Sequence, residues 1–104
     1  MDELQQLLAW YASQCDGDWE HEYGIKIENV DNPGWSVSIP LAGTELESCG
    51  YETVSDMTPP TEWLHCRVSE SAEGRRWEGS GGPLMLSQIL RRFLDWASAQ
   101  KGAT

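Results

Sequence analysis

The chain has 104 residues, enough for one domain over 1–104 and too few for two. Its 39% hydrophobic content and six tryptophans exclude an acidic disordered tail. A formal net charge of −10 excludes nucleic acid and anionic membrane as partners, since both would repel it, and leaves a basic protein partner open.

The opening "MDELQQLLAW" lacks the basic flank and long apolar run of a secretion signal. No apolar run approaches the roughly 20 residues that span a bilayer. Cys15, Cys49 and Cys66 are odd in number and form no CxxC pair, which fits reduced thiols in a cytoplasmic protein. Leu4, Leu7, Leu8, Tyr11 and Cys15 recur at helical spacing, so the first element is a helix with that stripe inward. Asp2 and Gln5 are placed to cap its start, and Asp16-Gly17 ends it.

From Asp18 the pattern changes. Trp19, His21, Tyr23, Ile25 and Ile27 alternate with Asp18, Glu20, Glu22, Gly24, Lys26 and Glu28, which predicts a half-buried strand over 18–28. "DNPGW" supplies a type II turn with Pro33 and Gly34 at its centre. Trp35, Val37, Ile39 and Leu41 form the returning strand over 35–41. "TELESCGYETV" has room for a third strand, and "SDMTPPTE" reads as a loop because of its two prolines. Leu64, Cys66 and Val68 mark another strand, followed by a short strand around Trp77 and a glycine hinge, "GSGGP". Pro83 suits the first position of a closing helix whose apolar stripe is Leu86, Ile89, Leu90, Phe93, Leu94 and Ala97. The order helix, four or five mostly antiparallel strands, helix gives an α+β fold with both helices on one face of the sheet.

On a strand, Asp16, Asp18, Glu20 and Glu22 would line one outer face at roughly 7 Å intervals. With Glu28 they are the candidate partner-binding residues. A line of acids does not converge on a cation, and "DGDWE" lacks the glycine and bidentate acid of a calcium loop. Cys15, His21, His65 and Cys66 lack zinc spacing, so no metal or other cofactor is expected. A thiolate at Cys15 would be opposed by the negative helix end and the neighbouring acids. Cys15 therefore reads as the buried end of the apolar stripe, and His21 as a core-edge residue, with His65 facing solvent. "GSGGP" before a helix could cradle phosphate but lacks the lysine and preceding apolar strand of a P-loop. Trp19, Trp35 and Trp96 fall on apolar faces. Trp10, Trp63 and Trp77 do not, and they are interface anchors if exposed.

"SQCDGDWEHEYGIKI", "DNPGW", "GSGGP" and "ILRRFLDWA" together resemble the immunity protein 53 family of bacterial polymorphic toxin systems. The resemblance covers both ends and the first hairpin, well over half the chain, while residues 43–62 match nothing. It implies a small cytosolic, non-enzymatic protein, encoded beside a toxin, that binds and neutralises it; no functional residues carry over. The acidic row suits a toxin with a basic surface, such as a nuclease cleft. Two alternatives stand beside this reading: a small thiol-dependent, sulfurtransferase-like enzyme, and a small-ligand-binding module.

Overall fold

The computed structural model describes residues 2–31, 33–56, 62–71 and 74–102. In chain order the elements are α1 (Glu3–Gln14), α2 (Trp19–Glu22), β1 (Lys26–Val30), β2 (Gly34–Pro40), β3 (Val54–Asp56), β4 (Leu64–Ser71), β5 (Gly74–Gly81) and α3 (Leu86–Gly102). The strands form one antiparallel sheet in the order β1-β2-β5-β4-β3. The α+β architecture is the expected one. Helix α3 lies across β2, β4 and β5, and α1 packs alongside α3.

The core sits between the sheet and α3. Alternation puts Val37 and Ile39 of β2, Leu64 and Cys66 of β4, and Trp77 of β5 on the inner face. Ile89, Leu90, Phe93, Leu94 and Ala97 of α3 meet them at helical spacing. Trp77 and Phe93 are fully buried, with ring centroids 5.4 Å apart. Among the described residues no acceptor lies within hydrogen-bond distance and geometry of the buried Trp77 Nε1.

Gly79 and Gly81 do not form a hinge; they are the end of β5. Glycine is required there by close packing. A Cβ on Gly79 would lie 2.6 Å from the Trp77 ring and 2.7 Å from the Ile89 side chain. Pro83 falls in a turn that precedes α3, where Met85 N donates to Gly82 O and the Pro83 carbonyl accepts from Trp35 Nε1.

The expected strand over 18–28 is half wrong. Only Lys26–Val30 is strand, paired as Ile27 with Val37 and Glu28 with Ser36, while Trp19–Glu22 is a helical turn. Tyr23 N donates to Trp19 O at 2.9 Å, closing that turn. The turn after β1 also differs: Gly34 already pairs with Val30 and has no positive φ, so it is not a central residue of a type II turn. Position 32 lies outside the described residues. The stretch 44–54, expected to hold a third strand, is turns and irregular chain as far as residue 53; β3 begins only at Val54 and takes in Ser55 and Asp56 of the expected proline loop, whose positions 57–61 lie outside the described residues.

Helix α1 is rotated from its expected setting. Asp2 caps it by accepting from Gln5 N at 2.8 Å, as its sequence implies. It buries Leu7 and Trp10, however, and leaves Leu4, Leu8 and Cys15 exposed. The tryptophans are redistributed too. Trp77 and Trp10 are buried and Trp63 is half-buried, so none of the three candidate anchors is exposed.

Candidate partner-binding surface

The acidic stretch begins where α1 ends. Cys15 closes the helix, and Gly17 takes a φ of 98°, a left-handed conformation that favours glycine. The chain then turns on two carboxylates. Asp16 Oδ1 accepts from the backbone N–H of Asp18 and of Trp19, both at 3.0 Å. Glu20 reaches back and accepts from Asp16 N at 3.0 Å and Gly17 N at 2.9 Å. This reciprocal arrangement resembles a capping box, which satisfies backbone donors that a helix start leaves free. The backbone donors hold the Asp16 carboxyl below the ordinary aspartate range, the bond from Trp19 having the largest effect.

The four carboxylates therefore split into two kinds. Asp16 and Glu20 are turned toward the backbone. The carboxylates of Asp18 and Glu22 are exposed and make no hydrogen bond or ion pair among the described residues. Glu28 is exposed on β1, opposite Ser36 on the uncovered face of the sheet. The row of acids expected on one strand is thus a lobe around α2, with Glu28 set apart on the edge strand.

Tertiary contacts bring other acids to this lobe. Trp19 is buried, and its Nε1 donates to Ala42 O at 2.9 Å, tying α2 to the turns that follow β2. Within those turns Glu45 accepts from Trp10 Nε1 at 3.1 Å and from Gln14 Nε2 at 2.9 Å. Glu47 accepts from Gly43 N, and Arg75 Nη1 donates to Glu47 O and Cys49 O. Glu45 and Glu47 were missed because residues 43–62 show no periodicity. The available signal was "TELE" together with a tryptophan, Trp10, whose buried N–H needs an acceptor.

Where α2 leads into β1 the charge changes sign. Lys26, Arg67 and Arg76 lie in the registers of the uncovered sheet face, where Ser36, His65, Arg67, Glu78, Gly79 and Ser80 line a shallow depression. Arg67 pairs with Glu78 at 3.0 Å, and Arg76 donates to Ser38 Oγ and Gly24 O. His65 is half-buried there, and His21 is exposed where a core-edge position was expected.

The thiols are dispersed. Cys15 is exposed, not buried at the end of an apolar stripe, and its Sγ donates to Tyr11 O at 3.4 Å. Burial pushes the Cys66 thiol up to about 11, leaving it protonated and inert at neutral pH. Among the described residues no group of three or more His, Cys, Asp or Glu side chains is placed to hold a metal ion. No described helix is long and apolar enough to cross a membrane.

A five-stranded antiparallel sheet covered on one face, with a composite acidic lobe at one end, defines a small α+β protein whose most distinctive surface is electrostatic. The family model of immunity protein 53 matches residues 4–98, and the chain belongs to that family. No curated protein and no solved structure matches the chain.

Proposed function

We propose that this chain is a cytoplasmic immunity protein that binds and neutralises a cognate toxin through the acidic lobe around α2, without catalysis of its own. The observation that carries this reading is the pair Asp18 and Glu22, whose exposed carboxylates have no partner among the described residues. The first Lys or Arg in the chain is Lys26, so residues 2–25 contain six acids and no such cation. Family membership supplies the class of partner, and charge supplies its chemistry. A toxin that acts on nucleic acid needs a cation-lined cleft for phosphate, and an acidic lobe can occupy it. Asp16 and Glu20 hold the loop in shape, Asp18 and Glu22 face the partner, and Glu28 adds charge at the sheet edge.

The test uses an inactivated form of the toxin domain encoded beside this gene, with binding kinetics measured over an ionic-strength series. The double substitution Asp18→Asn and Glu22→Gln should slow association about tenfold at low salt and flatten its salt dependence, with little change in melting temperature. Identical rates and salt slopes would remove the lobe from the interface. Absence of toxin binding by the native chain would end the immunity reading itself.

A further inference from the structure

Helix α1 carries more apolar side chain than the fold covers. Leu7 and Trp10 are buried in the core, whereas Leu4 and Leu8, one helical turn apart, stand 52% and 56% exposed. Tyr11 continues the same line and is half-buried, with its ring centroid 5.7 Å from that of Trp19. Trp19 in turn meets Tyr23 at 5.9 Å. A continuous ridge therefore runs from Leu4 through Leu8 and Tyr11 to the foot of the acidic lobe. Single exposed leucines are ordinary. Two on one helical line, leading to half-buried tyrosines beside the exposed acids Asp18 and Glu22, have the make-up of a binding patch with an apolar centre and a polar rim.

Charge decides what covers the ridge. Asp2 and Glu3 flank one end, and Asp16, Asp18, Glu20 and Glu22 follow the other. Arg91, which α3 brings to this side, is engaged by Glu3 at 3.3 Å and Asp95 at 3.6 Å. A second copy of this chain would set the same acids against themselves, and an anionic lipid surface would be repelled in the same way. A basic protein with an apolar recess is complementary in both respects.

We infer that Leu4, Leu8 and Tyr11 form the apolar centre of the toxin-binding interface, seated in an apolar recess of the basic toxin and rimmed by Asp18 and Glu22. This rests on the immunity reading above. Affinity comes mainly from the ridge, and encounter rate and orientation mainly from the rim.

The experiment measures equilibrium binding of the inactivated adjacent-gene toxin domain to the native chain and to the double variant Leu4→Ser, Leu8→Ser. Each serine should weaken binding about tenfold, and the pair about 100-fold, chiefly through faster dissociation, with the melting temperature preserved. Hydroxyl-radical footprinting of the native chain supplies a second readout free of any folding defect. Bound toxin should protect Leu4, Leu8 and Tyr11 from oxidation. Unchanged affinity of the double variant, or unchanged oxidation of these residues, would overturn the inference while native binding leaves the immunity reading intact. No binding by the native chain would overturn both. Should the double variant unfold, the footprint alone decides. Self-association of the native chain, or adsorption to anionic vesicles, that the two serines abolish would assign the ridge to another occupant and overturn the inference.

Discussion

Gly79→Ala adds a single methyl group at the seat of α3, and the structure sets its cost. The new Cβ would lie 2.6 Å from Trp77 Cη2, 2.7 Å from Ile89 Cγ2 and 2.8 Å from Trp77 Cζ3. None of these atoms can retreat cheaply, because Trp77 and Ile89 are both fully buried and Phe93 packs behind the indole. Overpacking of this kind costs about 1–3 kcal/mol, against a gain of about 0.4–1 kcal/mol from restricting the unfolded chain. A net loss of about 1–2 kcal/mol follows, which for a domain of this size lowers the melting temperature by about 4–15 °C. Gly50→Ala is the control. Its φ is not positive, and an added Cβ has nothing within 4 Å, so the entropic gain stands alone and the protein should hold or gain slightly. Thermal and urea melts of the two variants read the difference directly. Equal melting temperatures would refute the close seating of α3 on β5, and with it the placement of α1, which packs on α3.

Three further predictions use the titration and thiol chemistry. The Asp16 carboxyl is held below its ordinary value by backbone donors, so the stability it contributes is full above that value and is lost as pH falls through the folded one. Asp16→Asn should therefore be less stable than the native protein near neutral pH, with the gap closing in acid melts; a constant gap would show that the carboxylate's charge is not what holds the turn. Thiol labelling at neutral pH should modify Cys15 first and Cys49 more slowly, and should reach Cys66 only on unfolding, because its thiol is buried and protonated. Cys15→Ser should leave toxin neutralisation intact; loss of neutralisation with an unchanged melt would favour a thiol mechanism.

The first half of the acidic stretch was misread for a definite reason. Trp19 and Tyr23 are four residues apart, and positions i and i+4 share a face in both a strand and a helix. Only the residue between them discriminates. His21, at i+2, would share the buried face in a strand, and it points away in a helix. Its exposure fits the helical turn that Asp16 and Glu20 cap. A polar residue at that position, with Asp16 and Glu20 at capping distance, was the signal available in the sequence.

What the sequence determined by itself are the elements whose pattern lasts long enough to exclude the alternative. Trp35, Val37 and Ile39 alternate over a full strand, and Ile89, Leu90, Phe93, Leu94 and Ala97 repeat over about two and a half turns of helix. The acidic composition was equally plain. Tertiary structure decided which way each ambiguous face turned. Helix α1 is apolar over Leu4, Leu7, Leu8, Trp10 and Tyr11, too wide an arc for one neighbour to cover, so the fit against α3 chose Leu7 and Trp10 and left Leu4 and Leu8 outside. It also placed Glu45 and Glu47 beside α1 and α2 through Trp10, Gln14 and Trp19, a juxtaposition of segments 23–35 residues apart that no local period encodes.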